Sequence, residues 1–177
     1  MKKPKHVVAV ERLHAEVDQA IEPLAQKHGP RLRCNKGCTG CCIDDLTVFE
    51  AEAARIQHHH DELLRTETPA PEGQCAFLDE AGACRIYPDR PYVCRTQGLP
   101  LRWWDEGPDG PAEFRDICAL NELDGPPLVE LNADHCWTLG PYEGRLAQLE
   151  SERSGGRLSR IRLRDLFQMA CSKRSSR

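Results

Sequence analysis

The chain has 177 residues and a mass of 20.0 kDa, enough for one domain of ordinary size. Hydrophobic residues make up 40%, aromatic residues 6%, and mean hydropathy is −0.59, so any core is lean. No run approaches the ~18 apolar residues of a membrane span. The apolar stretch Val7–Val10 stops at Glu11, short of the roughly 7–15 residues of a secretory leader. These exclusions predict a cytoplasmic protein. In a reducing compartment, ten cysteines argue for thiolates with a task rather than for stable disulfides.

Net charge is −4, and its distribution is uneven. Eight basic residues against two acidic ones give residues 151–177 a charge of +6, which leaves −10 on residues 1–150. A solvated basic helix with a frayed end is the plain expectation for this segment. Binding to nucleic acid or to an acidic protein partner is the alternative, although no interleaved aromatics provide a stacking surface.

In chain order, Val10, Leu13, Val17, Ile21 and Leu24 recur at spacings of three and four and predict a helix over residues 7–28. Pro23 should kink or end it, and Gly29-Pro30 closes it. Residues 31–46 read as a cysteine-rich loop. Thr47 and Glu50 have the spacing of a capping box, which predicts a helix to about Arg65. Phe49, Ala53, Ile56, His60 and Leu63 would line its inner face. The acidic pair Asp44-Asp45 reads as helix-leading residues.

Residues 66–74 form a linker-like loop. Cys75–Leu78 and Ala83–Tyr87 predict a short β-hairpin around Gly82. Residues 98–128, rich in glycine and proline, predict mostly loop with short strands. A last helix is predicted from about Tyr142 to Glu152. Gly155-Gly156 should break it, and the apolar residues 158–167 predict a partly packed helix dispensable for the cysteine site. The resulting expectation is an α+β protein: a small irregular single domain of helices and loops around a cysteine-rich metal site with a short hairpin. It divides into an N-terminal helix over 1–30, a metal-binding domain over 31–150 and a basic helix and tail over 151–177.

The chemistry lies in two cysteine blocks. Cys34, Cys38, Cys41 and Cys42 fall within nine residues, with Gly37 and Gly40 letting the backbone curl so that sulfurs converge. Cys75, Cys84 and Cys94 are more widely spaced, and the predicted hairpin and the turn at Pro88–Pro91 bring them to one end. Seven thiols in turn-rich polar sequence make a poor core and a good nest for a soft metal. Adjacent Cys41 and Cys42 should point apart in extended backbone and serve different sites. Cys118 reads as a core thiol, Cys136 as either a core thiol or an eighth ligand, and Cys171 as a thiol outside the site. His58-His59-His60 cannot chelate one ion from a helix, because neighbouring side chains diverge by about 100°. His60 should lie at the core edge and the other two in solvent. Arg90 and Arg95 are candidates to pair with the thiolates or with Asp79 and Asp89. No nucleophile–base pair or phosphate loop is visible.

The run Cys34–Cys42, followed by Cys75, Phe77-Leu78-Asp79, Gly82, Cys84, Ile86-Tyr87, Arg90-Pro91 and Cys94-Arg95, resembles the YkgJ-type cysteine-cluster family of zinc- or iron-chelating proteins. The likeness covers roughly residues 31–98. It implies metal chelation by these cysteines and little about a reaction. Some relatives are flagellin lysine methylases, for which an iron–sulfur cluster is expected. Here three residues, not two, separate the first pair of cysteines, which puts Cys34 outside the usual pattern.

Two metals fit the spacing. A 4Fe–4S cluster often takes three cysteines from one loop and a remote fourth. Structural Zn2+ usually takes two pairs. The sequence leans slightly toward iron–sulfur and leaves both open. The spacing also resembles radical S-adenosylmethionine enzymes, but Gly40 stands where those carry an aromatic residue, and 177 residues cannot supply their partial barrel. The expectation is a binding or electron-transfer module, with an iron–sulfur enzyme or a zinc-stabilised interaction domain as alternatives.

Overall fold

Val7, Val10, Leu13 and Val17 are all essentially inaccessible to solvent and form the buried stripe of the first helix, α1 (Lys5–His28). Ile21 and Leu24 on the same stripe are only partly covered. Pro23 lies in the helix interior, and the helix continues past it to His28. The computed structural model describes residues 2–34 and 37–172, with side chains to residue 170. It is mixed α and β with short sheets, the expected fold class. The backbone groups into two compact units. One comprises Met1–Leu13, Lys36–Pro91 and Leu146–Arg177; the other comprises His14–Asn35 and Tyr92–Arg145.

The first unit is built on a two-stranded antiparallel sheet. Strand β1 (Thr47–Phe49) pairs with β5 (Arg160–Arg162), with Val48 opposite Ile161. The capping box expected at Thr47 is therefore absent, because Thr47 is committed to a strand. Helix α2 (Glu50–His59) starts after Phe49, which caps it with no side-chain bond. The cap comes from the long helix α6 (Pro141–Ser154), whose buried Glu150 accepts the Ala51 amide at 2.8 Å. A second break falls at His60, and α3 (Asp61–Thr66) follows. That break shifts the helical phase, so Leu64 rather than Leu63 enters the core.

Phe77 is fully buried against Phe167, with ring centroids 5.1 Å apart. Around them lie Val48, Ala53, Ile56, Leu78, Ile86, Leu163 and Leu166. Leu166 and Phe167 belong to α7 (Asp165–Ser172), so the segment after Gly155-Gly156 folds back as strand and helix into the core. The segment read as one partly packed helix is thus a strand followed by a helix. The expected hairpin at 75–87 is reduced to one bridge, Leu78 with Cys84. Ala76, Phe77 and Leu78 are buried in succession, whereas a half-buried strand would alternate.

In the second unit the hairpin joins β2 (Leu101–Gly107) and β3 (Gly110–Asp116), within the stretch read as mostly loop. Gly107 pairs with Gly110, and the positive φ of Gly110 closes the turn. A two-residue strand, β4 (Trp137–Thr138), adds parallel to β2. Tyr92, Tyr142 and Trp137 stack, and the Trp137 indole donates to the Tyr92 hydroxyl at 3.0 Å. The buried Arg31 guanidinium donates to the carbonyls of Asn121, Glu122 and Pro126, closing off the single-turn helix α5 (Ala119–Glu122).

Candidate metal centre

Cys38, Cys41, Cys42, Cys75 and Cys84 belong to the first unit, and Cys34, Cys94, Cys118 and Cys136 to the second. In the first unit, the loop 37–42 is turn-rich. The Cys42 amide donates to the Thr39 carbonyl at 2.9 Å, and the Cys41 and Cys42 side chains hydrogen-bond to each other. Their expected divergence does not occur, because the backbone here is not extended. The Cys42 carbonyl accepts the Cys75 amide at 2.8 Å, which ties the two cysteine blocks together. Gly82, at φ +73°, packs its α-carbon face against Thr39 and Gly37, so the turn between Cys75 and Cys84 lies on the loop carrying Cys38.

Asp79 holds that turn, its Oδ1 accepting the amides of Ala81 at 2.9 Å and Ala83 at 2.7 Å. Two backbone amides reach sulfur: Phe77 donates to Cys75 and Ile86 to Cys84, each two residues on. Both bonds favour thiolate, but burial outweighs them and pushes both thiols up. Burial also pushes the Cys42 thiol up to about 12, with Cys41, Cys75 and Cys84 acting in the same direction. Cys41, Cys75 and Cys84 are thus neighbours of Cys42.

A soft divalent cation fits this donor set. It would replace the protons that burial holds on the thiols and offset the repulsion among them. Cys41, Cys42, Cys75 and Cys84 would hold it, with the Phe77 and Ile86 amides as outer-shell donors. Among the described residues, no three Cys, His, Asp or Glu side chains are grouped so that they could hold a metal ion.

The remaining cysteines have other surroundings. Cys34 receives the Asn121 Nδ2 donor at 3.5 Å, and Asn121 is wholly buried. Cys94 lies in the short helix α4 (Tyr92–Arg95). Cys118 caps α5 and is half-buried. Cys136 is buried on the wall of a cavity of about 350 Å³ beside Trp137 and Tyr142, and burial pushes its thiol up. Cys171 lies outside the described side chains.

His60 bonds Asp89 at 2.8 Å at the core edge, while His58 and His59 are exposed. Arg90 stacks on Tyr87, and Arg95 pairs with Asp18. Asp89 is bound by Arg55 at 2.6 Å. Asp44 leads no helix; it pairs with Arg164 and accepts the Gly73 amide at 3.0 Å.

Residues 33–109 match the family model "CxxCxxCC: Putative zinc- or iron-chelating domain". Comparison with curated proteins and with solved structures finds no match. The resemblance read from the cysteines thus holds over that segment, which matches a domain described as zinc- or iron-chelating. Among the described residues, no helix is long and apolar enough to cross a membrane.

Proposed function

We propose that the protein is a metal-binding module of a reducing compartment, holding Zn2+ through the thiolates of Cys41, Cys42, Cys75 and Cys84. What supports this reading is that Cys42 has Cys41, Cys75 and Cys84 as neighbours within one compact unit, and that its carbonyl accepts the Cys75 amide at 2.8 Å. A two-plus-two thiolate set is the usual ligation of structural zinc. An iron–sulfur cluster is the second reading, and Cys38 favours it by adding a third thiolate to the same loop. Cys34 and Cys94 stand outside this four-sulfur set in the proposal.

Purification from iron- and zinc-replete cells, once in air and once anaerobically under reducing conditions, tests this. Elemental analysis should find one zinc per chain, with loss of metal on Cys41→Ser, Cys42→Ser, Cys75→Ser or Cys84→Ser. Brown anaerobic protein with several irons per chain would replace zinc by the cluster. Protein that takes up neither metal after reduction and reconstitution would overturn the site.

A further inference from the structure

We infer that Arg164, far outside the matched segment, is a positioning residue of the thiolate site. This rests on the reading of Cys42 and Cys75 as metal ligands. The Arg164 guanidinium spans the two chain segments on which those cysteines sit. Its Nε pairs with Asp44, two residues after Cys42. Its Nη1 donates to the Ala70 carbonyl at 2.8 Å, and its Nη2 donates to the Pro71 and Gln74 carbonyls, each at 3.0 Å. Gln74 immediately precedes Cys75. Asp44 closes the circuit by accepting the Gly73 amide at 3.0 Å.

The arrangement demands arginine. A linker without regular structure leaves carbonyls in need of donors, and only a planar fork serves three carbonyls and a carboxylate at once. An ammonium would keep the charge and lose the span. Arg164 is itself placed by rigid neighbours. Leu163 and Leu166 are buried on either side of it, and the Leu163 amide donates to the Leu46 carbonyl at 3.0 Å. The fork is thus mounted on the core and holds the two cysteine-bearing segments in register at the Cys75 to Cys42 backbone bond. It also sets a positive charge beside a site that is net negative when four thiolates surround a divalent ion.

The test loads full-length protein with Co2+ and follows sulfur-to-cobalt charge-transfer absorption, then measures Zn2+ affinity by chelator competition. Arg164→Gln should weaken Zn2+ binding about 10–100-fold, the range for loss of an outer-shell partner. Its absorption per bound Co2+ should fall by the share of one thiolate, a change that mere loss of stability does not produce. Arg164→Lys should recover only part of the affinity, and Arg162→Gln, on the exposed face of β5, should match the parent protein. If Arg164→Gln fails to fold, Arg164→Lys and Asp44→Asn carry the test, and metal binding like the parent in both overturns the inference. A folded Arg164→Gln protein with parent-like affinity and spectrum also overturns it. Failure of the parent protein to bind Co2+ or Zn2+ overturns the underlying site instead.

Discussion

Glu150 and Ala51 are 99 residues apart in sequence, and the carboxylate of one accepts the amide of the other at 2.8 Å in the interior. The same carboxylate takes Arg153 at 2.8 Å, so a negative group sits, paired, at the amino end of α2. Both the free amides and the helix dipole favour an anion there.

Removing that carboxylate leaves a buried amide without an acceptor and a guanidinium without one of its partners. Glu150→Ala should destabilise the protein by about 3–5 kcal/mol, the usual cost of breaking a buried pair. Glu150→Gln, which keeps an acceptor, should cost about 1–3 kcal/mol. Urea unfolding of both variants checks the order. Equal midpoints for parent and Glu150→Ala would show that the cap contributes nothing.

Ending the chain at Ser154 removes Leu163, Leu166 and Phe167 from the core and deletes β5 from its sheet. The truncated protein should lose cooperative unfolding and metal together. A point variant gives the scale: Phe167→Ala should cost about 3–5 kcal/mol, as large-to-small changes of buried aromatics do. Far-ultraviolet dichroism with thermal melting reads both. A truncated protein that melts like the parent would return the tail to dispensability.

The candidate ligands were legible because their chemistry is local. Cys38, Cys41 and Cys42 announce themselves by spacing, and Asp79, Gly82 and Cys84 by turn residues around sulfur. The partners that hold them are not local. Arg164 lies 120 residues from Asp44, and in sequence it is one arginine among several in a basic run. Thr47 has the capping-box pattern, yet pairing with Arg162 overrides it. The β2–β3 hairpin had a signal, Asp109-Gly110 between two runs containing aromatics, but the surrounding prolines and glycines obscured it. His60 interrupts a helical pattern without any breaker residue, as its bond to Asp89 helps explain.

Asn121 has the same quality of long-range support. Its Oδ1 accepts the Arg33 amide at 2.7 Å, and its Nδ2 donates to the Gly98 carbonyl at 2.7 Å and toward Cys34. Asn121→Asp keeps the first bond and loses the donors, at an expected cost of about 1–3 kcal/mol for the stranded carbonyl. Gly98→Ala should be at least as harmful, because Gly98 has φ +91° and a β-carbon there would lie 2.7 Å from the Cys34 sulfur. Chemical denaturation, with alkylation mass spectrometry at Cys34, measures both. Unchanged stability and labelling in Gly98→Ala would refute the close approach.

His28 gives a pH signature. Burial holds its pKa below the ordinary histidine value, and Arg31 and Lys27 push the same way against the opposing hydrogen bond to the His135 carbonyl at 2.7 Å. The folded protein therefore keeps the ring neutral where the unfolded chain takes up a proton. Stability from this residue is complete above the unfolded value, near 6.5, and drains away as pH falls below it toward the depressed folded value. Melting temperatures between pH 8 and pH 5 should fall more for the parent than for His28→Gln. Parallel profiles would show that His28 does not contribute to the acid sensitivity.

The pairing of β1 with β5 has a temporal side. Thr47 meets Arg162, so this sheet joins one stretch of chain to another synthesised much later. During translation Cys42, Cys75 and Cys84 emerge before Leu163, Leu166 and Phe167, which share their core cluster. A chain made from its amino end thus passes through an interval in which its most reactive side chains have no lid and no core behind them. Protection of those thiols, and the choice of which ion reaches them first, falls in that interval to the reducing power and metal supply of the surroundings. Only when α7 docks does the core close around Cys75.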